Sequence, residues 1–322
     1  MSSEAPNPQN PDEANSARST QRMRMLRAAR RVYLIALAGL IVWLLITQHQ
    51  EIADLLEGAR PALIAAAFAS SCVLILWNSA LWRCMLMMLG HDVTLSRTLL
   101  ATARSLPARY VPLGVSYAAA RMALLRAADV PLTPLAITAG LELGLSVSVA
   151  LAVGVGLLGA SGALAGGAAW TIAALVIAVM AMLPALGGQV VNRLLARRGA
   201  RFAVDWGDYL RVLGVSIGYW IWAGLTFVLY LRAFPEADLL PAVEIAGAFM
   251  VSWALGFLTL IAPQGFGVAE LSLAAILAVE GHSGVALAAI FAGYRVVLIA
   301  RDIVAAGTAE IISTRLTRRG SL

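Results

Sequence analysis

Two stretches of this chain set a proline and glycines just ahead of an ionisable residue inside apolar sequence. Residues 263–270 read Pro263-Gln-Gly265-Phe-Gly267-Val-Ala-Glu270, and residues 109–115 read Arg109-Tyr-Val-Pro112-Leu-Gly114-Val, with Arg121 following. Proline lacks an N–H and glycine adds backbone freedom, so both stretches are expected to interrupt a helix. At membrane depth such a break is tolerated only where protein or a watery cavity covers the freed backbone. An ionised side chain there must be paired or hydrated. A glycine-rich helix start offers N–H groups and a positive dipole end, which suit a phosphate. One interruption in each half of the chain is the pattern of a transporter's binding site, while the plainer reading is two turns between packed helices. Glu270 puts a negative charge in the first turn after its break, so that element is not simply an anion cradle. It calls for a cationic partner, Arg295 or Arg121, or it carries a proton.

Other charged residues lie within apolar runs. Glu142 sits between Gly140 and Gly144, which are four apart and predict a face for close helix packing. Glu142 points about 200° away from them, toward another helix or a cavity, with Ser146 one turn on. An ion pair and a functional role are both open for it. Arg295 and Asp302 share a face of the last apolar run. Arg301 and Glu310 are nearer its end and read as snorkelling anchors. Gly154-Val-Gly156-Leu-Leu-Gly159 matches a dinucleotide fingerprint by letters only, because it closes an apolar span with no strand before it. His49, His91 and His282 fall at segment ends without a partner at ligand spacing, and Cys72 and Cys84 read as packing residues. No metal or cofactor site is expected.

The elements that position these residues follow from composition. With 322 residues, 60% hydrophobic and 13% charged, and a mean hydropathy of +0.82, the chain reads as an integral membrane protein. Its net charge of +6 is carried on the basic side by arginine alone. Clustered arginine beside apolar runs points to cytoplasmic anchoring and anionic lipid, not nucleic acid. Residues 1–21 have a disordered composition. Spans are expected at 32–47, 61–82, 132–158, 163–185, 211–231 and 239–262. A short helix at 268–279 and a long one at 285–312 complete the series. The twelve residues of 268–279 reach only about 18 Å. Residues 83–130, with six arginines and two prolines, read as interfacial or re-entrant helices. Counting the short helix as a crossing gives about eight, both termini cytoplasmic and every arginine cluster on one side. The expected domain is 22–314, with a basic tail at 315–322.

Together, Tyr110-Val-Pro112-Leu-Gly114 with Arg121, Glu142, the 263–270 element and Tyr294-Arg295 resemble a known family. They are similar to the transmembrane flippase-like domain of lysylphosphatidylglycerol synthases, including stand-alone members without the synthase part. The resemblance covers about 32–312. It implies a bacterial inner-membrane protein that moves a lipid between leaflets, in the best-known case an aminoacylated phosphatidylglycerol. Ala269 stands where the family usually has arginine, and Leu143 and Ser146 where it usually has arginine and an acid, so the cavity carries fewer charges. The aminoacyl-transferase domain is absent from this sequence, so lipid aminoacylation by this chain alone is not expected.

The sequence thus predicts an all-α polytopic membrane protein with two re-entrant or broken-helix elements. Its expected function is to move a lipid with an anionic or phosphate-containing headgroup, without catalysis and with a homo-oligomer compatible. Arg109, Arg121 and Arg295 are the headgroup candidates. Glu142 and Glu270 are pairing or proton-coupling carboxylates, and Pro112, Gly114, Pro263, Gly265 and Gly267 shape the loops. Two rivals remain open: a membrane transferase acting on a lipid-linked substrate with Glu270 as base, and a non-transporting subunit of an envelope lipid or polysaccharide complex.

Overall fold

Apolar runs bounded by proline or glycine fold as helices here, because in lipid each backbone polar group must be satisfied within its own segment. The computed structural model describes residues 57–110, 116–127, 129–164, 166–195, 205–235, 238–259, 265–277 and 284–318. All belong to the unit Ala53–Leu322. The expected tail at 1–21, the apolar run at 32–47, and Pro112, Gly114 and Pro263 lie outside the described residues. Among the described residues there are nine α-helices, one 3-10 segment and no strand.

Among the described residues three helices are long and apolar enough to cross a membrane: α1 (Pro61–Met88), α4 (Leu132–Ser161) and α6 (Trp206–Leu231). At 1.5 Å per residue the shortest of them reaches about 39 Å, against a hydrocarbon core of roughly 30 Å. Their ends are chemically marked. Pro61 opens α1, where a missing N–H is harmless. Asp205 caps α6 by accepting from the Gly207 and Asp208 N–H groups at 2.8 and 3.3 Å. α4 stops at Gly162, whose φ of +83° is left-handed. Around these pack α2 (Leu95–Ser105), the 3-10 segment Leu106–Tyr110, α3 (Ser116–Arg126), α5 (Gly166–Leu195), α7 (Ala242–Leu258), α8 (Val268–Ile276) and α9 (Gly284–Arg318).

α1 packs on α6, α4 on α7 and α5, and α8 lies between α7 and α9. Without a hydrophobic drive between helices in lipid, these contacts use small residues and internal hydrogen bonds. Ser70 and Thr226 share a 2.8 Å hydrogen bond between α1 and α6, and the Trp222 indole donates to the Ser70 carbonyl at 3.1 Å. Gly154 and Gly247 bring α4 and α7 together: a Cβ on Gly247 would lie 2.9 Å from the Gly154 carbonyl oxygen. The glycine face predicted at Gly140 and Gly144 does not form a contact. Both are exposed, with nothing among the described residues within 4 Å of an added Cβ, because burying Glu142 turns them outward. Close approach falls instead to Gly154, two turns and more along the same helix.

Inside the bundle, Phe227, Tyr230, Phe249, Phe291 and Tyr294 form one aromatic cluster from α6, α7 and α9. Phe227 and Phe249 stack at 4.6 Å, and the buried Tyr230 hydroxyl donates to the Ile290 carbonyl. α8 is nine residues, shorter than the twelve expected, and reaches only about 14 Å. α9 is longer than expected, running on to Arg318. α3, with eleven residues, is also too short to cross. Each half of the chain therefore holds a short helix directly after its predicted break.

Candidate functional site

The site grows from one face of α9. Phe291, Tyr294, Arg295, Leu298, Arg301 and Asp302 recur at three- and four-residue spacing, so they project to one side and meet α1, α6, α7 and the 3-10 segment. Asp302 is fully buried. It accepts from Arg301 Nε at 2.8 Å, Arg109 Nη1 at 3.4 Å and the Tyr110 hydroxyl at 2.8 Å. Arg301 also donates to the Ser71 carbonyl of α1 at 3.3 Å. Sequence position suggested that Arg301 snorkels to the membrane surface. Instead it is 4% exposed and faces the interior, because α9 continues more than four turns past it. Glu310, the other expected anchor, is exposed and meets Arg104 of α2 at 2.8 Å.

One aspartate thus holds two guanidiniums and a phenol. Asp302→Ala is expected to lower stability by about 3–5 kcal/mol, since it takes the carboxylate away from the buried Arg301 guanidinium. Asp302→Asn, which keeps an acceptor oxygen, should lose less. Thermal unfolding in detergent checks both, and a wild-type midpoint for Asp302→Ala would contradict the assignment.

The second constellation is built by the glycine turn before α8. Gly265 and Gly267 have φ of +68° and +84°, which L side chains rarely adopt. They turn the chain so that the carboxylate of Glu270, three residues on, reaches back to the Gly267 N–H at 2.7 Å. That is half of a capping box, and it fills the helix start with the protein's own anion. The other carboxylate oxygen pairs with Arg295 Nε. Of the two expected partners Arg295 is therefore the one used. Arg295 also lies over the Phe266 ring at 4.1 Å.

The third constellation joins α3, α4 and α1. Arg121 is fully buried and donates from Nη1 to Glu142 at 3.1 Å. Asn78 of α1 donates to the same carboxylate oxygen at 2.8 Å, and the Tyr117 hydroxyl donates to the Asn78 carbonyl oxygen at 3.3 Å. The guanidinium carbon lies 4.2 Å from the Tyr117 ring centroid and 4.5 Å from that of Trp82. Arg109 approaches the same Tyr117 ring at 4.5 Å.

Between the first two constellations lies a cavity of about 90 Å³. At 10–15 Å³ per water on this measure it has room for roughly six to nine waters. Arg109, Arg295 and Arg301 line it with Tyr110, Tyr219 and Tyr294, against a wall of Trp220, Phe249, Trp253, Phe266 and Phe291. A smaller cavity shares Leu74, Arg109, Tyr219 and Arg301 with it and reaches Asn78 and Tyr117. Across the three constellations the described side chains include four arginines and three carboxylates, an excess of one positive charge. Among the described residues no group of three His, Cys, Asp or Glu is placed to hold a metal. The chemistry on offer is that of guanidinium, carboxylate and phenol.

Of the residues singled out from sequence, Arg109 and Arg295 line the cavity, and Gly265, Gly267 and Glu270 form the turn that fixes Arg295. Arg121 and Glu142 pair with each other beyond the cavity walls. Asn78, Tyr117, Tyr219, Arg301 and Asp302 join them without having been chosen as site residues. Asn78 was open to discovery, as an amide inside an apolar run. So was Tyr117, one turn before Arg121 on the same helix face.

The sequence profile of the family described as the lysylphosphatidylglycerol synthase TM region matches residues 31–301. No curated protein matches the sequence at a significant level.

Proposed function

The chain belongs to the lysylphosphatidylglycerol synthase transmembrane family, and from that premise we propose that it moves a lipid with a phosphate-bearing headgroup between the leaflets of the bacterial inner membrane. The observation that carries this reading is the arginine-lined cavity inside an apolar bundle. Three guanidiniums around a space of headgroup scale, beside an aromatic wall, offer charge-assisted hydrogen bonds to phosphate oxygens. The acyl chains stay in the bilayer while the headgroup uses the polar interior, which removes the main barrier to crossing. Arg109, Arg295 and Arg301 hold the phosphate, and Asp302 and Glu270 fix the orientation of their guanidiniums. The arginine-rich connections and both termini face the cytoplasm in this reading.

The transferase alternative draws no support from Glu270. One of its oxygens is engaged by Arg295 and the other by a backbone N–H, leaving it poorly placed to take a proton from a substrate. Native mass spectrometry of the detergent-extracted protein tests the headgroup site. Wild-type protein is expected to retain phosphate-bearing lipid, and the double variant Arg109→Gln, Arg301→Gln to lose most of it. Equal retention by both, or none by wild type, would overturn the reading.

A further inference from the structure

Buried polar groups in folded proteins nearly always have hydrogen-bond partners, and a buried donor without one marks an ion, a water or a functional state. Arg121 is such a case. Its side chain is fully buried and Nη1 is committed to Glu142, yet among the described residues Nε and Nη2 have no hydrogen-bond partner. Those two nitrogens form the edge of the guanidinium that grips a carboxylate or phosphate through two parallel N–H···O bonds. Glu142, the nearest acid, is held to Nη1 and to Asn78 and so does not fill that edge.

The surroundings link this edge to the cavity. Asn78 and Tyr117 line the smaller cavity and also touch the buried pair, so they are the partition between the two. A 3.3 Å hydrogen bond from the Tyr117 hydroxyl to the Asn78 side-chain oxygen ties the two residues together. The Tyr117 ring is shared by Arg109, which lines both cavities, and by Arg121 behind it. Tyr117 thus stands between the guanidinium of Arg109 and that of Arg121, and its displacement would bring the two into one space.

We propose that Arg121 is a second, occluded phosphate station, entered from the Arg109 cavity when Tyr117 and Asn78 part. This rests on the transport reading and adds to it an order of events: the headgroup meets Arg109 first and Arg121 after. It also gives Glu142 a task, holding the guanidinium in one orientation through Nη1. The ligand chemistry is a tetrahedral phosphate oxyanion carried on a lipid. A free phosphate would use the same nitrogens, and the assay separates the two.

The test uses full-length protein in vesicles and the leaflet exchange of fluorescent phosphatidylglycerol. Arg121→Lys keeps a positive charge facing Glu142 and removes the two-nitrogen edge. It is expected to slow exchange roughly ten- to a hundredfold, the worth of one charge-assisted hydrogen bond. Tyr117→Phe keeps the ring and removes the tie to Asn78, so exchange should rise roughly three- to tenfold. Added inorganic phosphate should leave wild-type exchange unchanged if the station takes its phosphate only from lipid, and inhibition by it would overturn the lipid assignment. Arg121→Lys exchanging at the wild-type rate would overturn the station. If Arg121→Lys does not fold, Tyr117→Phe at or below the wild-type rate does so. Wild-type protein without exchange would remove the transport reading as well, whereas active wild type with indifferent variants removes the second station alone.

Discussion

Glu270→Ala is expected to destabilise the protein by about 3–5 kcal/mol, because it takes from the largely enclosed Arg295 guanidinium the carboxylate it pairs with. Arg295 would face the cavity without the carboxylate that now fixes it, and the Gly267 N–H would lose its acceptor at the start of α8. Both losses fall on one short helix, and nine residues supply too few internal hydrogen bonds to hold it alone. The signature that separates electrostatics from packing is the double variant Glu270→Met, Arg295→Met. Replacing both partners by apolar groups removes the cation together with its carboxylate, so much of the lost thermal stability should return. Lipid retention should not, because one of the three cavity guanidiniums is gone. Unfolding midpoints and native mass spectra of the three proteins check this. A single variant as stable as wild type would contradict the pairing.

Gly265→Ala is expected to be the most damaging single methyl addition in the described turn. A φ of +68° is unfavourable for alanine by about 1–2 kcal/mol before any contact is considered. The added Cβ would then lie 2.4 Å from the Gly256 carbonyl carbon and 2.5 Å from its Cα. These are backbone atoms of α7, so no side chain can swing aside. Relief requires the α7–α8 corner to open, which would pull Glu270 away from Arg295. The expected result is a sharp fall in the yield of folded protein and in its unfolding temperature. Gly140→Ala, on an open face of α4, serves as the control and should change neither. Equal behaviour of the two variants would refute the close approach of Gly265 to Gly256.

Much of the architecture could be read from residue order, for physical reasons that particular elements make clear. The run beginning at Pro61 is apolar for longer than a bilayer is thick, and it folds as the helix Pro61–Met88. The break before α8 was legible because Gly265 and Gly267 sit where no helix former does, and both have positive φ. The need of Glu270 for a cation was legible too, since a lone carboxylate is unfavourable in an apolar run. Which cation it takes was not, because Arg295 stands twenty-five residues away on another helix.

Arg301 was misread for a related reason. Distance from a helix end decides whether an arginine snorkels, and the end of α9 is set by residues past the apolar run. Gly140 and Gly144 show the opposite failure. Their spacing fits close packing, but helix geometry places Glu142 on the other face, and burying that carboxylate decides the rotation. The Asp302 centre was hidden because its parts, Arg109, Tyr110 and Arg301, come from segments nearly two hundred residues apart.

The proposal that guanidiniums inside the bundle carry a phosphate headgroup across the bilayer is tested by the rate of leaflet exchange in reconstituted vesicles. Anionic, zwitterionic and prenyl-phosphate lipids, each fluorescently labelled, form the panel, with protein-free vesicles and the Arg109→Gln, Arg301→Gln double variant as references. The account expects exchange of at least one phosphate-bearing lipid well above the protein-free rate, falling back toward it in the double variant. Exchange by wild-type protein no faster than in empty vesicles across the whole panel, or equal in the double variant, would contradict it.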